Sequence, residues 1–556
     1  MIDDARSLPP GAQLEADVAI VGGGAGGIAL ALSLAGGPLK VVVLESGGLA
    51  YERETQALYK GRNVGLRYEP LDLCRVRVFG GSTDKRGWAG WCKTFAAHDF
   101  EHRDWVRLSG WPIARGDLAE YYRSALELLS LPGDIEETLE SETRSDDCLP
   151  LNGSDCANSA VALSAAPQLS DAWKRTFEAA ENIQVILHAN VTNIDVNDAG
   201  RVATGIACET LGRQAFSVKA RFVVIAAGGI ETARLMLNSN KVVRPGLGNH
   251  SDWVGRCFMD HPRYAWGQIT ALPNPALLRR YNPTHGVGQR RNGAPSPGSP
   301  PLFGIGVELS EAAQRRERVL GSRTWILPVA PQGERVAGRE LRELALWTMR
   351  HRLPADVLLR ARLVLGDLPN AAAAVAAHLG SVLGRETRWQ FVTTLEPEPN
   401  PESRVSLDDS RDVFGMRTVK LDWRLSGLVS RTLDVTQKAI VKDLRALGVE
   451  CFVEGPGGSR ANQEPDQPRW VWHHMGTTRM SADPNDGVVD ADCKVHGVSN
   501  LYVIGSSVFP TCSSDMPTLT LMALACRLSD HLKSRLAASH AGGWNGRVVE
   551  RQRIGM

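Results

Sequence analysis

The chain has almost no charge imbalance. Over 556 residues, 63 Lys and Arg stand against 62 Asp and Glu, a net charge of +1. A dedicated nucleic-acid binder would carry a basic surplus, so no nucleic-acid partner is expected. No stretch approaches the ~20 consecutive apolar residues that span a bilayer, so no integral membrane segment is expected. Cysteine is sparse, ten in all, and none forms a C-x-x-C pair. That argues for reduced thiols and against a disulfide frame or zinc site, and no metal is expected. The opening Met1-Ile2-Asp3-Asp4-Ala5-Arg6 lacks an apolar h-region, so we expect no signal peptide and a cytoplasmic location. Apolar residues at 43% and charged residues at 22% are ordinary for a globular enzyme.

What is present begins with Asp17-Val-Ala-Ile-Val-Gly22, an apolar run that reads as a buried parallel strand. Gly22-x-Gly24-x-x-Gly27 follows, then a helical Ile28–Leu32 and a second strand, Lys40–Glu45. Gly22 permits a tight turn, Gly24 lets backbone approach a pyrophosphate, and Gly27 allows close helix–strand packing. The helix start offers free N–H groups to phosphates. Glu45 lies 23 residues after Gly22, where a carboxylate can accept ribose hydroxyls. The unit predicts dinucleotide binding without separating FAD from NAD. A later strand, Arg221–Ala226, runs into the small-residue turn Ala227-Gly228-Gly229, the kind by which flavoproteins return to the dinucleotide.

Between these landmarks, residues 70–112 read as a long ordered loop and 117–129 as an amphipathic helix. Residues 270–305 read as surface loops. Residues 311–390, with thirteen Arg against eight acids, read as helical, a solvated insertion or, less favoured, a docking surface. From 391 the pattern is β-like. A glycine-rich region from Trp470 to Leu532 ends in a helix starting near Pro517.

Further blocks carry a resemblance. They are Phe79-Gly80-Gly81-Ser82-Thr83, Trp88–Cys92, Asp99-Phe100, Gly110–Ile113, Ala226–Leu235, Val254–Pro262, His473-His474-Met475-Gly476-Thr477, Gly505-Ser506-Ser507 and Pro517-Thr518. Together with the first glycine turn, they resemble the glucose-methanol-choline (GMC) family of FAD-dependent oxidoreductases, in family order over most of the chain. The branch with pyranose oxidases and sugar or polyol dehydrogenases is the most similar.

The resemblance implies an α/β fold, a Rossmann-like FAD-binding domain interleaved with a substrate domain on an antiparallel sheet with helices. The FAD part would combine 1–125, 178–262 and 465–556. The substrate part would combine 126–177 and 263–464, with the helical insertion at about 311–390. It implies FAD contacts from Gly22, Gly24, Gly27, Glu45, Gly80, Gly81, Ser82, Ala227, Gly228, Gly505, Ser506, Pro517 and Thr518. It also implies oxidation of an alcohol by hydride transfer to the flavin, with His473, three residues before Gly476, as general base. His474 is the neighbouring alternative. Where relatives place His or Asn before the last helix, this chain has Asp515-Met516. Asp515 either takes a polar catalytic role, caps the helix, or pairs with an amine of the substrate. Met516 cannot hydrogen-bond a substrate oxygen usefully.

The attachment histidine of this branch is missing after Thr83, where Asp84-Lys85-Arg86-Gly87 stands, so FAD is expected to be non-covalent. His98, His102 and His261 read as structural, His261 bracing the FAD domain. The expected substrate is a sugar, polyol or aminosugar alcohol of aminoglycoside type. The electron acceptor (oxygen, quinone or dye) is left open. A flavin-dependent lyase or other non-oxidative reaction is the alternative.

Overall fold

The computed structural model of the chain describes residues 1–83, 90–151, 155–164, 169–271, 302–329, 357–382, 388–453 and 468–541, with single positions 278, 280, 281, 337, 341 and 344 between them. Its largest sheet has eight strands. In spatial order they are Ile2–Asp4, Ile183–Leu187, Val41–Leu44, Gln13–Val21, Ala215–Ile225, Ala203–Glu209 and Asn190–Val196, with Leu501–Val503 also paired to Ala215–Ile225. The inner pairs are parallel, as in Val18 to Val21 beside Val41 to Leu44. Burial on both faces explains their unbroken apolar runs: Val18, Ala19, Ile20 and Val41 have no exposed surface. The helices Ala25–Ser33 and Thr518–Ala541 pack on each other beside this sheet, and the second also packs on the amphipathic helix Ala119–Leu128.

A second sheet of seven strands is antiparallel along its path. Its order is Glu450–Val453, Arg263–Ala271, Arg388–Leu395, Ser322–Val329, Leu302–Leu309, Cys156–Leu163 and Trp91–Cys92. A three-stranded sheet joins Arg404–Arg411, Arg417–Asp422 and Gly61–Asn63. This mixed α/β architecture matches the expected fold class. Chain segments interleave further than the sequence division implied, since Gly61–Asn63 and Trp91–Cys92 pair with strands from far downstream.

The stretch 311–390 needs a correction. It does hold the helices Glu311–Glu317, Val357–Leu365 and Leu368–Val382. Ser322–Val329, however, is a strand, and the strand Arg388–Leu395 begins inside the stretch. Composition misleads here because Ser322, Arg323, Thr324, Trp325 and Ile326 are all buried, so no alternation marks the strand.

Candidate active site

The strand Gln13–Val21 runs into Gly22, whose φ is +109°. A Cβ there would lie 2.6 Å from the Ala226 carbonyl oxygen, and one at Gly27 would lie 2.0 Å from that of Gly22. Both positions therefore require glycine. Gly24 and Gly505 differ, since a Cβ at either would meet nothing within 4 Å. Glu45 stands at the end of the next strand, buried, and accepts the N–H of Gly23 at 2.8 Å and of Gly47 at 2.7 Å. Burial pushes its carboxyl above the ordinary value against these bonds. The Gly80 N–H donates to the Gly23 carbonyl at 2.8 Å, which docks the Gly80–Ser82 turn onto the glycine turn.

These elements border a cleft of about 260 Å³. Gly22, Gly24, Glu45, Gly81, Ser82, Ala227, Gly228, Gly505, Ser506, Pro517 and Thr518 line it, together with His473 and His474. Gly27, Gly80, Asp515 and Met516 are not on its wall. Gly27 and Gly80 instead hold the wall's shape from behind. Sequence reasoning missed a charged group on the same wall. Glu231 lies 3.1 Å from Arg75, 3.1 Å from Arg77 and 3.2 Å from Arg234. Burial works to raise the Glu231 carboxyl, but the three guanidiniums hold it down at about 2. The alternation Arg75-Val76-Arg77 was the available signal, hidden inside a segment read as loop.

His473 is fixed first through its backbone. Its N–H donates to Asp260 Oδ1 at 2.9 Å, and that of Trp472 to Oδ2 at 3.1 Å. The Tyr68 hydroxyl donates to the same carboxylate, which has no exposed surface. Gly476, with φ +83°, lets this loop pass so close to Cys257 that a Cβ would sit 2.2 Å from its carbonyl oxygen. Met259 and Met475 exchange N–H···O bonds of 3.0 Å. The segment 257–262 is thus clamped to the segment 472–476.

The side chain of His473 meets two groups. Its Nδ1 is 2.9 Å from His261 Nδ1, the rings nearly perpendicular at 88°. Asp515 Oδ1 is 3.8 Å from the same nitrogen. Burial, then His261 and Arg263, outweigh the pull of Asp515 and push the His473 ring down to about 3, so it is neutral. Asp515 is buried. Burial raises its carboxyl, but His473, Arg263 and His261 hold it below the ordinary range, so it is ionised. Asp515 Oδ1 accepts the Met516 N–H at 3.0 Å, while Oδ2 has no hydrogen-bond partner among the described residues. Met516 has φ +57°, an uncommon value for a residue with a Cβ. The closing helix starts at Thr518, and the Leu521 N–H donates to the Pro517 carbonyl at 3.1 Å.

The adjacent His474 turns elsewhere. Its Nε2 is 3.0 Å from the Tyr68 hydroxyl, its ring lies against Phe258, and its carbonyl accepts from Ser506 Oγ at 2.7 Å. His98 lies 3.5 Å from Asp99 and 3.4 Å from Glu311, and a Cβ on Gly110 would press against His102. His261, read as a brace, lies ring to ring with His473. Their separation of 212 positions gave no sequence signal. Asp84 to Gly87, which carry the expectation of non-covalent attachment, fall outside the described residues. Among the described residues no group of three or more His, Cys, Asp or Glu could hold a metal ion, and no helix is long and apolar enough to cross a membrane.

Comparison with known proteins bears on this site. A family model described as GMC oxidoreductase matches residues 399–525, and one described as FAD dependent oxidoreductase matches residues 17–264. The 6'''-hydroxyparomomycin C oxidase of Streptomyces lividus is 26% identical over 363 residues, 63% of this chain and 51% of that protein. This chain therefore spans about half the length of that relative. The 2-methyl-1,2-propanediol dehydrogenase of Mycolicibacterium austroafricanum is 24% identical over 592 residues, 94% of this chain and 96% of that protein. A solved formate oxidase has the same fold, with a TM-score of 0.56 at 16% identity, covering 96% of this chain and 100% of its own.

Proposed function

We propose that this chain, which matches the GMC oxidoreductase model over residues 399–525 and the FAD dependent oxidoreductase model over residues 17–264, oxidises an alcohol group of a sugar-like or aminosugar substrate, with His473 as general base. The observation that carries this reading is a single cleft lined both by the glycine turn with Glu45 and by His473. FAD fits the cleft's construction. Gly24 and Gly505 leave open room where a pyrophosphate needs close backbone. Thr518 brings the positive end of a helix to the same wall. Gly22, Gly27 and Gly80 would shape the cradle. Gly81, Ser82, Ala227, Gly228, Ser506 and Pro517 would line it, with Glu45 turned to the ribose. The FAD-binding part then combines roughly 1–125, 178–262 and 465–556. Attachment is non-covalent, from the residues after Thr83.

When bound, FAD supplies the hydride acceptor. The protein's share is to hold the alcohol and move its proton. A neutral His473 takes that proton, and hydrogen bonds to Asp260 keep its backbone still. The ionised Asp515 beside the ring favours the imidazolium that results. An amine of the substrate would pair with its Oδ2 only by reaching past the cleft wall, on which Asp515 does not lie. The name of the Streptomyces lividus relative supports a sugar-like substrate of aminoglycoside type. The test is anaerobic mixing of the yellow holoprotein with glucosamine, glucose, 2-methyl-1,2-propanediol and benzyl alcohol. Bleaching of the flavin by a sugar is the expected result. Product formed without bleaching would overturn the reading, as would no reaction with any sugar.

A further inference from the structure

The carbonyl oxygen of Ser513 can only accept a hydrogen bond. His261 Nε2 lies 3.1 Å from it, so Nε2 carries the ring's hydrogen. His261 has no exposed surface, and in the neutral ring that one N–H is all there is. Its Nδ1 is then a bare lone pair, 2.9 Å from His473 Nδ1. Two lone pairs at that distance would repel, so His473 Nδ1 must be the donor. A neutral imidazole has one N–H, which leaves the lone pair of His473 on Nε2. No described residue takes a hydrogen bond from that atom or gives one to it.

We propose that His261 is a positioning residue: relaying the polarity of the Ser513 carbonyl, it fixes His473 as the Nδ1–H tautomer and frees Nε2 for the substrate hydroxyl. The proposal rests on the reading of His473 as base. The clamp between segments 257–262 and 472–476 keeps the two rings in register, because the Met259–Met475 exchange and both N–H bonds to Asp260 tie the same two segments. Asp515 cannot do this work in place of His261. At 3.8 Å it lies beyond hydrogen-bond reach of His473 Nδ1, so it adds charge there without a directional bond. Met516 offers only a thioether. Ordering of the base therefore comes from a ring far upstream in sequence.

The test is histidine-selective ¹⁵N and ¹³C NMR of the FAD-loaded enzyme, with His473 assigned by its loss in His473→Asn. The wild type should show His473 as the Nδ1–H tautomer. His261→Leu should mix the tautomers. His261→Asn, whose Oδ1 can stand where Nδ1 stood, should keep Nδ1–H. In single-turnover flavin reduction by whichever alcohol of the panel above bleaches fastest, His261→Leu should be slower by about 10²-fold, and His261→Asn should stay within about threefold. An Nε2–H tautomer in the wild type overturns the proposal. So does an unchanged tautomer in His261→Leu, or a lost one in folded His261→Asn. If no alcohol bleaches the flavin, the proposed function fails while the spectra still decide the tautomer.

Discussion

Asp515→Asn isolates a charge from a shape. Asn keeps an oxygen where Oδ1 accepts the Met516 N–H at 3.0 Å, so the local turn should survive. What it loses is one negative charge 3.8 Å from His473 Nδ1. Coulomb's law at an effective dielectric of about 20 gives roughly 4 kcal/mol between unit charges at that separation. The charge on His473 is zero in the ground state and grows as the hydroxyl proton arrives. With the proton about half transferred, roughly 2 kcal/mol is at stake, or about 30-fold in the rate of flavin reduction. Stopped-flow reduction at saturating glucose measures this directly. If Asp515 also binds an amine, KM for glucosamine should rise while KM for glucose stays put. A drop in rate with both sugars and no KM split assigns Asp515 to the base alone. An unaltered reduction rate with glucose would refute the electrostatic reasoning, because no charge at that distance could then be acting on a forming imidazolium.

Three other outcomes are expected. His473→Ala should retain FAD, since its backbone N–H still reaches Asp260 and the glycine turn is untouched, but flavin reduction should slow by ~10²–10⁴-fold; His474→Ala losing as much would move the base. Acid precipitation of the holoprotein should release the yellow colour into the supernatant, and colour retained in the pellet would contradict non-covalent attachment. Arg103→Met should destabilise the fold by about 3–5 kcal/mol in denaturant titration, because it strands the Glu396 carboxylate, which has no exposed surface and takes two Arg103 N–H bonds at 2.9 and 2.5 Å; a loss below about 1 kcal/mol would show that water reaches the carboxylate.

What the sequence made legible was local. The turn at Gly22 needs glycine for reasons of backbone angle and contact that spacing alone announces, and Glu45 follows at the right remove. The start of the closing helix was likewise marked by Pro517. What escaped was non-local or compositional. His261 meets His473, and Tyr68 meets Asp260, only through the clamp of two distant segments, and no periodicity records such a meeting. In the Ser322–Val329 strand, Ser322 to Ile326 are all buried, so neither period 2 nor period 3.6 appears there. Asp515 was singled out for its chemistry and expected near His473, but Arg263 and His261, which also act on it, could be known only from geometry.

The pairing of Leu501–Val503 with Val223–Ile225 has a consequence for biosynthesis. Val223, Val224 and Ile225 are at most 1% exposed once this last strand is in place. On the ribosome they must wait for it, since their partners are made nearly three hundred residues later, an interval of roughly 15–60 s at ordinary elongation rates. Throughout that interval an apolar strand edge stands open, the kind of surface that chaperones hold and that aggregates recruit. A chain stopped short of residue 501 should therefore collect in the insoluble fraction or on chaperones, and this enzyme without its last tenth should not exist as a soluble species at all.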